Sequence, residues 1–396
     1  MHLEWMNADA LSTIEPIWRS VTAGAGVTYF QSWSWVDNWL RSLPKGRRVR
    51  LGVIKDGGTP VGAFFLGSAL KRRHGVMLSL ARYVNETGDD VLDDLCIEYN
   101  SFVCAASARP QLPRILEQIP GPWDELYLSA LDTTRFPGDA LGSLGGRYRV
   151  EVLKTSPSYF VDLDAVRARG EYIPLVGHKT RAHLRRTYRV YEADGAITTE
   201  VAADLPTAMS IYRELVDLHQ SHWTKQGFAG AFGTEYFRHF HERLIRERMA
   251  SGEIQLLRVR VAQRTIGCIY GFVYEGALYQ YQTGMVYEED SRDRRPGFLC
   301  NAEAIKHCAA LGLHRYDFLG GTQGYKKQLA TGEGSLSWVR VQKPRVKFWL
   351  ERHAKTLRDA WRARHEARQR EPAEASPGAS AEPLASDESS APTRGD

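Results

Sequence analysis

The chain has 396 residues, 43% hydrophobic and 25% charged, the balance of a soluble globular protein with length for two to three domains. Its five cysteines, Cys96, Cys104, Cys268, Cys300 and Cys308, form no C-x-x-C pair, which argues against a disulfide framework or a zinc site and for a reducing cytoplasm. The net charge of +5 is uneven: residues 371–396 carry −5 and the rest +10, a surplus that favours an anionic ligand, a nucleic acid or an acidic membrane face without choosing among them.

The opening, MHLEWMNADALSTIEP, lacks the basic region and apolar core of a signal peptide, and no apolar run approaches the roughly 18 residues of a membrane span. A helical pattern runs from Leu11 to about Val21. A second starts at Ser34, with Trp35, Val36, Trp39, Leu40 and Leu43 on one face, and stops at Pro44 and Gly46. VRLGVIK and VGAFFLGSAL flank an Asp56-Gly57-Gly58 turn and predict a hairpin. A third strand follows from Val76 to Tyr83, then the acidic, loop-like NETGDDVLDD. A helix over 112–119, the strand ELYLSAL, a short helix and the strand RYRVEVL close the N-terminal half.

The C-terminal half repeats this plan. YFVDL reads as a strand, and 178–192, 206–225 and 236–249 read as helices. Then come the hairpin LLRVRVAQRTIGCIYGFV, the strand ALYQYQTGMV, a charged loop, a Pro296-Gly297 helix start, the strand YDFL and the strand SLSWVRVQ. The two hairpins are alike, which suggests an internal duplication. From Arg345 to Arg370 nine Lys and Arg surround an apolar stripe of Val346, Trp349, Leu350, Leu357 and Trp361. Such a helix can dock on the protein's own surface or lie on an anionic membrane. The Pro-, Ala- and Ser-rich residues 371–396 hold too little apolar surface to fold, so an acidic disordered tail is expected.

In this order the elements resemble the GNAT acyltransferase fold, and in particular bacterial acetyltransferases of cellulose and exopolysaccharide synthesis. FQSWSWVDNWL, HKTRAHLRRTYR, LHQSHWTKQG, IGCIYGFVYEGALYQYQTG, RPGFLCNAEAI and YDFLGGTQGYKK carry the resemblance, which spans roughly Tyr29 to Gln342. Fem-type aminoacyl transferases also use two such units. The resemblance therefore implies an α/β protein: two tandem GNAT-like units, 1–158 and 159–344, with mixed, mostly antiparallel sheets flanked by helices, followed by the helix 345–370 and the tail 371–396. It implies acetyl-CoA or another acyl-CoA as co-substrate and no metal. Two departures stand out. Arg295 replaces the serine usual before Pro-Gly, so only Arg292 and Gly297 fit the pyrophosphate fingerprint. Gly320-Gly321-Thr322-Gln323 stands where an acidic residue is usual, so a carboxylate base is missing from its expected place.

The site expectations follow from these segments. The thioester arm is expected between ALYQYQTGMV and HRYDFL, against Tyr281 and Gly284. The pyrophosphate is expected at Arg295, Pro296, Gly297 and Phe298, where a helix start offers unpaired N–H groups. Proton transfer falls to Asp317, His219 or Tyr325. Arg185, Arg186, Trp223 and Lys326 are the expected acceptor-binding residues, the two arginines lying on a basic helix that could equally be a solvated face. The expected activity is transfer of an acyl group, acetyl first, to an amine or hydroxyl of an anionic, small-molecule or glycan-precursor acceptor, in the cytoplasm or at the inner face of the membrane through 345–370. Two readings stay open beside it: aminoacyl transfer from charged tRNA, and a non-catalytic module of an exopolysaccharide system. No DNA partner is expected, and the oligomeric state is not legible in the sequence.

Overall fold

The computed structural model describes residues 1–47, 49–105, 108, 111–132, 138–288 and 293–370. The expected tail, 371–396, and Arg292 lie outside the described residues. The chain forms two compact units, one over Met1–Pro344 and one that starts at Arg345. In the second unit Val346–Arg370 is one helix.

The first unit is built on a mixed sheet whose strands are β1 (His2–Asn7), β2 (Arg50–Asp56), β3 (Thr59–Arg73), β4 (Met77–Val84), β5 (Val103–Cys104), β6 (Glu125–Asp132), β7 (Arg149–Asp162), β8 (Ile197–Val201), β9 (Ile254–Val261), β10 (Arg264–Tyr274), β11 (Ala277–Met285), β12 (Arg315–Gly320) and β13 (Gly332–Gln342). Its helices are α1 (Leu11–Thr22), α2 (Trp33–Ser42), α3 (Leu112–Glu117), α4 (Gly138–Gly142), α5 (Leu163–Arg169), α6 (His178–Asp194), α7 (Leu205–Lys225), α8 (Glu235–Arg248), α9 (Pro296–Ala310) and α10 (Gly324–Leu329). The fold is thus α/β, a large open sheet flanked by helices.

Across the sheet the order is β1-β2-β3-β4-β6-β13-β7-β12-β11-β10-β9-β8, with β5 against β3. One pairing scheme occurs twice. β2, β3 and β4 are antiparallel neighbours and β4 runs parallel to β6; β9, β10 and β11 are antiparallel neighbours and β11 runs parallel to β12. The last strand, β13, lies between β6 and β7, and β7 lies between β13 and β12. Each half is completed by a strand from the other.

The sequence expects two strands, RYRVEVL and YFVDL, where the structure has the single strand β7. The expected border between residues 158 and 159 falls inside it. Pro157 suggests a break, because a proline cannot donate to a ladder in mid-sheet. It is tolerated here because the pairing of β7 with β12 is itself irregular, passing from Phe160–Asp317 to Ser158–Gly320.

The halves also share a core. On one face Trp18, Trp35, Leu215 and Phe240 pack with Phe65 and Phe272 into one buried cluster. Tyr29 stacks on Phe272 at 4.4 Å between ring centroids, Trp35 meets Phe240 edge-on at 4.9 Å, and Asn38 donates to the Phe240 carbonyl at 3.1 Å. The FQSWSWVDNWL segment is therefore the seam between the halves. On the opposite face each half keeps its own core, around Leu116, Trp123 and Leu128 in one and Val161, Leu299 and Tyr316 in the other.

Candidate functional site: the split between two parallel strands

A bulge starts the site. Tyr270 of β10 faces Gln282 of β11 and Gly271 faces Gln280, so Tyr281 is left over. An unpaired residue bends its strand and breaks the ladder. Gly271 is required there, since a Cβ would sit 2.6 Å from the Tyr279 carbonyl oxygen. The consequence appears on the other side of β11. It pairs with β12 only over Ala277–Tyr279 and Arg315–Asp317, and then the two strands part. A cavity of about 750 Å³ opens in the split.

The cavity is walled by β11 from Gln280 to Thr283, by Met285 and Tyr287, by His219, His222 and Trp223 of α7, by residues 228–231, by Leu319 and Gly320, and by Gln323, Tyr325 and Lys326. Three more residues come from the N-terminal half: Asp94, Cys96 and Glu98. Of the expected site residues, His219, Trp223, Tyr281, Tyr325 and Lys326 meet here.

Their chemistry differs. His219 is buried, its Nδ1 3.1 Å from Gln220 Oε1, and burial lowers its pKa, so it is a neutral imidazole. Tyr325 is raised above the usual phenol range, by burial first, and stays protonated. Lys326 donates to the Gly320 carbonyl at 2.6 Å, and burial lowers its pKa. The Tyr281 hydroxyl is bonded to the Leu95 carbonyl, which ties the bulge to the N-terminal half. Trp223 and His222 are in ring contact at 5.9 Å, and His222 lies over Tyr287 at 4.5 Å, an aromatic wall.

Asp317 does not line the cavity. Its carboxylate accepts from Tyr99 Oη at 2.9 Å, Arg315 Nε at 2.9 Å and the Leu319 N–H at 2.8 Å. With its oxygens engaged and its side chain 1% exposed, it pins the turn after β12. Gly284 serves packing: a Cβ would lie 2.5 Å from the Leu215 carbonyl, so glycine lets α7 close on β11.

The sequence places no carboxylate after Gly320; the structure supplies one from 222 positions away. Glu98 Oε2 accepts the Gly320 N–H at 2.5 Å while Lys326 holds the same residue's carbonyl. Burial raises Glu98 to about 7, against the pull of the Gly320 N–H and Lys326. Within the chain Glu98 follows an acidic loop with no periodicity, and nothing in that neighbourhood marks it as a site residue.

α9 is fixed to both strands of the split. The Tyr316 hydroxyl on β12 lies 2.8 Å from Gln280 Oε1 on β11 and 3.1 Å from Asn301 Oδ1 on α9. Pro296 begins the helix and carries no N–H, and the Phe298 and Leu299 amides donate to the Arg295 carbonyl at 3.0 and 3.2 Å, so the Gly297 amide is the one this turn leaves for a ligand. A Cβ on Gly297 meets nothing within 4 Å, so the helix start is open to an approaching anion. Phe298 is buried, with the Arg295 guanidinium 5.3 Å over its ring and 3.1 Å from His183 Nδ1 of α6.

The basic helix α6 lies at this end too. Arg186 pairs with Asp293 at 2.6 Å, Arg294 pairs with Asp194, and Arg185 is exposed. Neither Arg185 nor Arg186 reaches the cavity wall. Arg186 is tied through Asp293 to the residues just before α9.

These features suit an acyl-CoA: an open helix start with the Gly297 amide, a cavity of about 750 Å³ in the split, and a protonated Tyr325 on its wall.

Residues 178–327 match the family model described as acetyltransferase (GNAT) domain. Among curated proteins no sequence matches. Among solved structures, FemX superposes with a TM-score of 0.55 at 11% identity, over 86% of this chain and 97% of its own. A conserved protein of unknown function from Bacteroides thetaiotaomicron VPI-5482 superposes at 0.50 with 12% identity, over 86% of this chain and 100% of its own. These are likenesses of fold. The matched span, 178–327, holds β9 to β12 and α9, so the segment similar to that family is the one that splits around the cavity.

Proposed function

We propose that the protein transfers an acyl group, acetyl first, from coenzyme A to an amine or hydroxyl on a small-molecule or glycan-precursor acceptor. One observation carries the reading: β11 and β12 part beside the start of α9 and leave a cavity lined by groups that hold or donate protons. The bound thioester supplies the electrophilic carbonyl. Backbone N–H groups of β11 on the side of the split, beyond the last β12 pairing at Tyr279, polarise it. The α9 start binds the pyrophosphate, with Arg295 adding charge. The Tyr325 hydroxyl gives its proton to the sulfur, and the His219–His222–Trp223 wall orients the acceptor.

Calorimetry with acetyl-CoA, followed by thiol release in the presence of an acceptor panel, tests the reading. Micromolar to sub-millimolar binding with acceptor-dependent thiol release is expected. Binding of charged tRNA without acetyl-CoA binding supports aminoacyl transfer instead, and binding of neither supports a non-catalytic module.

A further inference from the structure

We propose that Glu98, brought by a loop of the N-terminal half, is the proton acceptor of the acyl transfer, and that the nucleophile it serves is a primary amine. The inference rests on the acyltransferase reading and names its base and acceptor class.

Geometry carries it. Asn85, Asn100 and Ser101, the two ends of a loop, bond to one another at the split between β4 and β6, and the stretch between them reaches across to the split between β11 and β12. The far end of that loop meets the C-terminal site at three places: Leu95 on the Tyr281 hydroxyl, Glu98 on the Gly320 N–H, and the Tyr99 hydroxyl on Asp317. Gln31 fixes the loop from the seam by donating to the Tyr99 carbonyl at 2.6 Å. Glu98 is thus held by its neighbours and by one of its own oxygens. Oε2 is spent on Gly320, and Oε1 makes no hydrogen bond among the described residues, on a side chain that lines the cavity with Tyr325 and Lys326. Such a carboxylate has a fixed rotamer and one lone-pair oxygen for an incoming proton.

Its surroundings suit a base that works near neutrality. Burial raises it, the Asp317 charge adds to that, and the Gly320 N–H, Lys326 and Lys154 act against both. Tyr99, Tyr281 and Cys96, the other titratable groups around it, are all raised and stay neutral. Charge selects the acceptor. Asp94 and Glu98 are the carboxylates of the cavity wall, His219 is neutral, and the Lys326 ammonium is held on a carbonyl. A cationic amine is drawn into such a cavity; an anionic acceptor is repelled.

The step balances. The ammonium that enters gives one proton to Glu98 Oε1, which passes it to solvent; the free amine then attacks the thioester carbonyl carbon, a C–N bond forms and the C–S bond breaks. The proton leaving nitrogen goes to Glu98 Oε1. The thiolate takes the Tyr325 hydroxyl proton, and the proton on Glu98 returns to the tyrosinate through solvent. The products are an amide and a thiol.

The test uses the full chain, acetyl-CoA, two amines (spermidine and glucosamine) and one hydroxyl acceptor (glucose), from pH 5.5 to 9. Thiol release should be faster with the amines, with a rise in kcat/KM through pH about 7. Glu98→Gln, which keeps an oxygen for the Gly320 N–H, should lower kcat by about a hundredfold or more, abolish that rise and leave acetyl-CoA affinity within about twofold. Glu98→Asp should restore part of the rate and the pH limb. Glu98→Gln with the wild-type pH limb overturns the base assignment alone, and glucose outrunning both amines overturns the acceptor class alone. Wild-type protein that binds no acetyl-CoA overturns the acyltransferase reading and this inference together.

Discussion

Strands β4 and β6 part after Tyr83 and Tyr127, and β11 and β12 part after Tyr279 and Asp317; each pair holds three residues of parallel ladder before it opens. Beyond the opening the two halves take different courses. In the first split the chain turns back and fills the gap. Asn85 Nδ2 donates to Asn100 Oδ1 and to the Ser101 carbonyl, each at 2.8 Å, and Asn100 Nδ2 donates to the Val84 carbonyl at 2.8 Å. Asn100 also bridges to Leu131 of β6, and Ser129 donates to Glu86 at 2.7 Å. In the second split the helix that follows is α9, of 15 residues, with an open glycine in its first turn. The helix after β4 is α3, of six residues. Two copies of one strand scheme therefore give one self-filled gap and one cavity. The strands set the opening, and the connecting segment decides whether it receives polypeptide or ligand. Here the filling of the first gap also delivers Glu98 to the second.

The largest effect should come from expelling that filling. A Cβ on Gly67 of β3 would lie 2.1 Å from the Glu86 carbonyl oxygen and 2.6 Å from Thr87 backbone atoms. Gly67→Ala should cost about 3 kcal/mol of stability, read by denaturant unfolding, and reduce turnover more than acetyl-CoA affinity. Wild-type turnover in this variant would break the link between the two splits.

The second test separates the splits by ligand. Gly297→Asp puts a carboxylate into open space at the α9 start, so the fold should keep its melting temperature. Acetyl-CoA affinity should fall tenfold or more, about 1.4 kcal/mol. Unchanged affinity in the folded variant removes α9 from the donor site.

A third, smaller effect concerns pH. Burial, then the neighbouring Asp93, raises Glu86 to about 8. The folded state thus favours the protonated carboxyl. Its stabilising contribution is complete below the unfolded value near 4.5 and is lost as pH rises through about 8. Melting temperature should fall between pH 5 and 9 in the wild type, and fall less in Glu86→Gln. An identical slope in both would show that the filled gap does not hold this carboxyl uncharged.

The smallest effect on the first unit should follow a cut after Pro344. Val346, Trp349, Leu350, Leu357 and Trp361 of the C-terminal helix are exposed. We propose that this basic, apolar-striped helix lies on anionic bilayers. The shortened protein should melt within a few degrees of the full chain and lose binding to phosphatidylserine vesicles at low salt. A large drop in melting temperature, with full-length protein that ignores vesicles, would favour docking on the protein itself.

Local patterns made much of this legible. Alternation and the Asp-Gly turn marked the hairpins, and the face of Trp35, Val36 and Trp39 marked a helix whose burial now forms the seam. The Pro296-Gly297 start and a gap between ALYQYQTGMV and HRYDFL were readable because a helix start and the strands before and after it are written in neighbouring segments. His219, Trp223, Tyr325 and Lys326, each singled out from its own segment, line one cavity.

What the sequence by itself determined, then, is most of the elements, their order, their apolar faces and the resemblance from which a donor-binding split between β11 and β12 is expected. Tertiary structure alone decided that β7 is one strand shared by both halves, that β13 crosses to lie beside β6, that Asp317 is consumed in holding a turn, and that Arg186 serves the loop before α9. It also decided that a glutamate from the other half stands at Gly320. The reason is physical. Periodicity records which side of a local segment is apolar, because the backbone repeats every two or 3.6 residues. A hydrogen bond between residues 222 positions apart leaves no such period, and it exists only once the whole sheet has set the path of the chain.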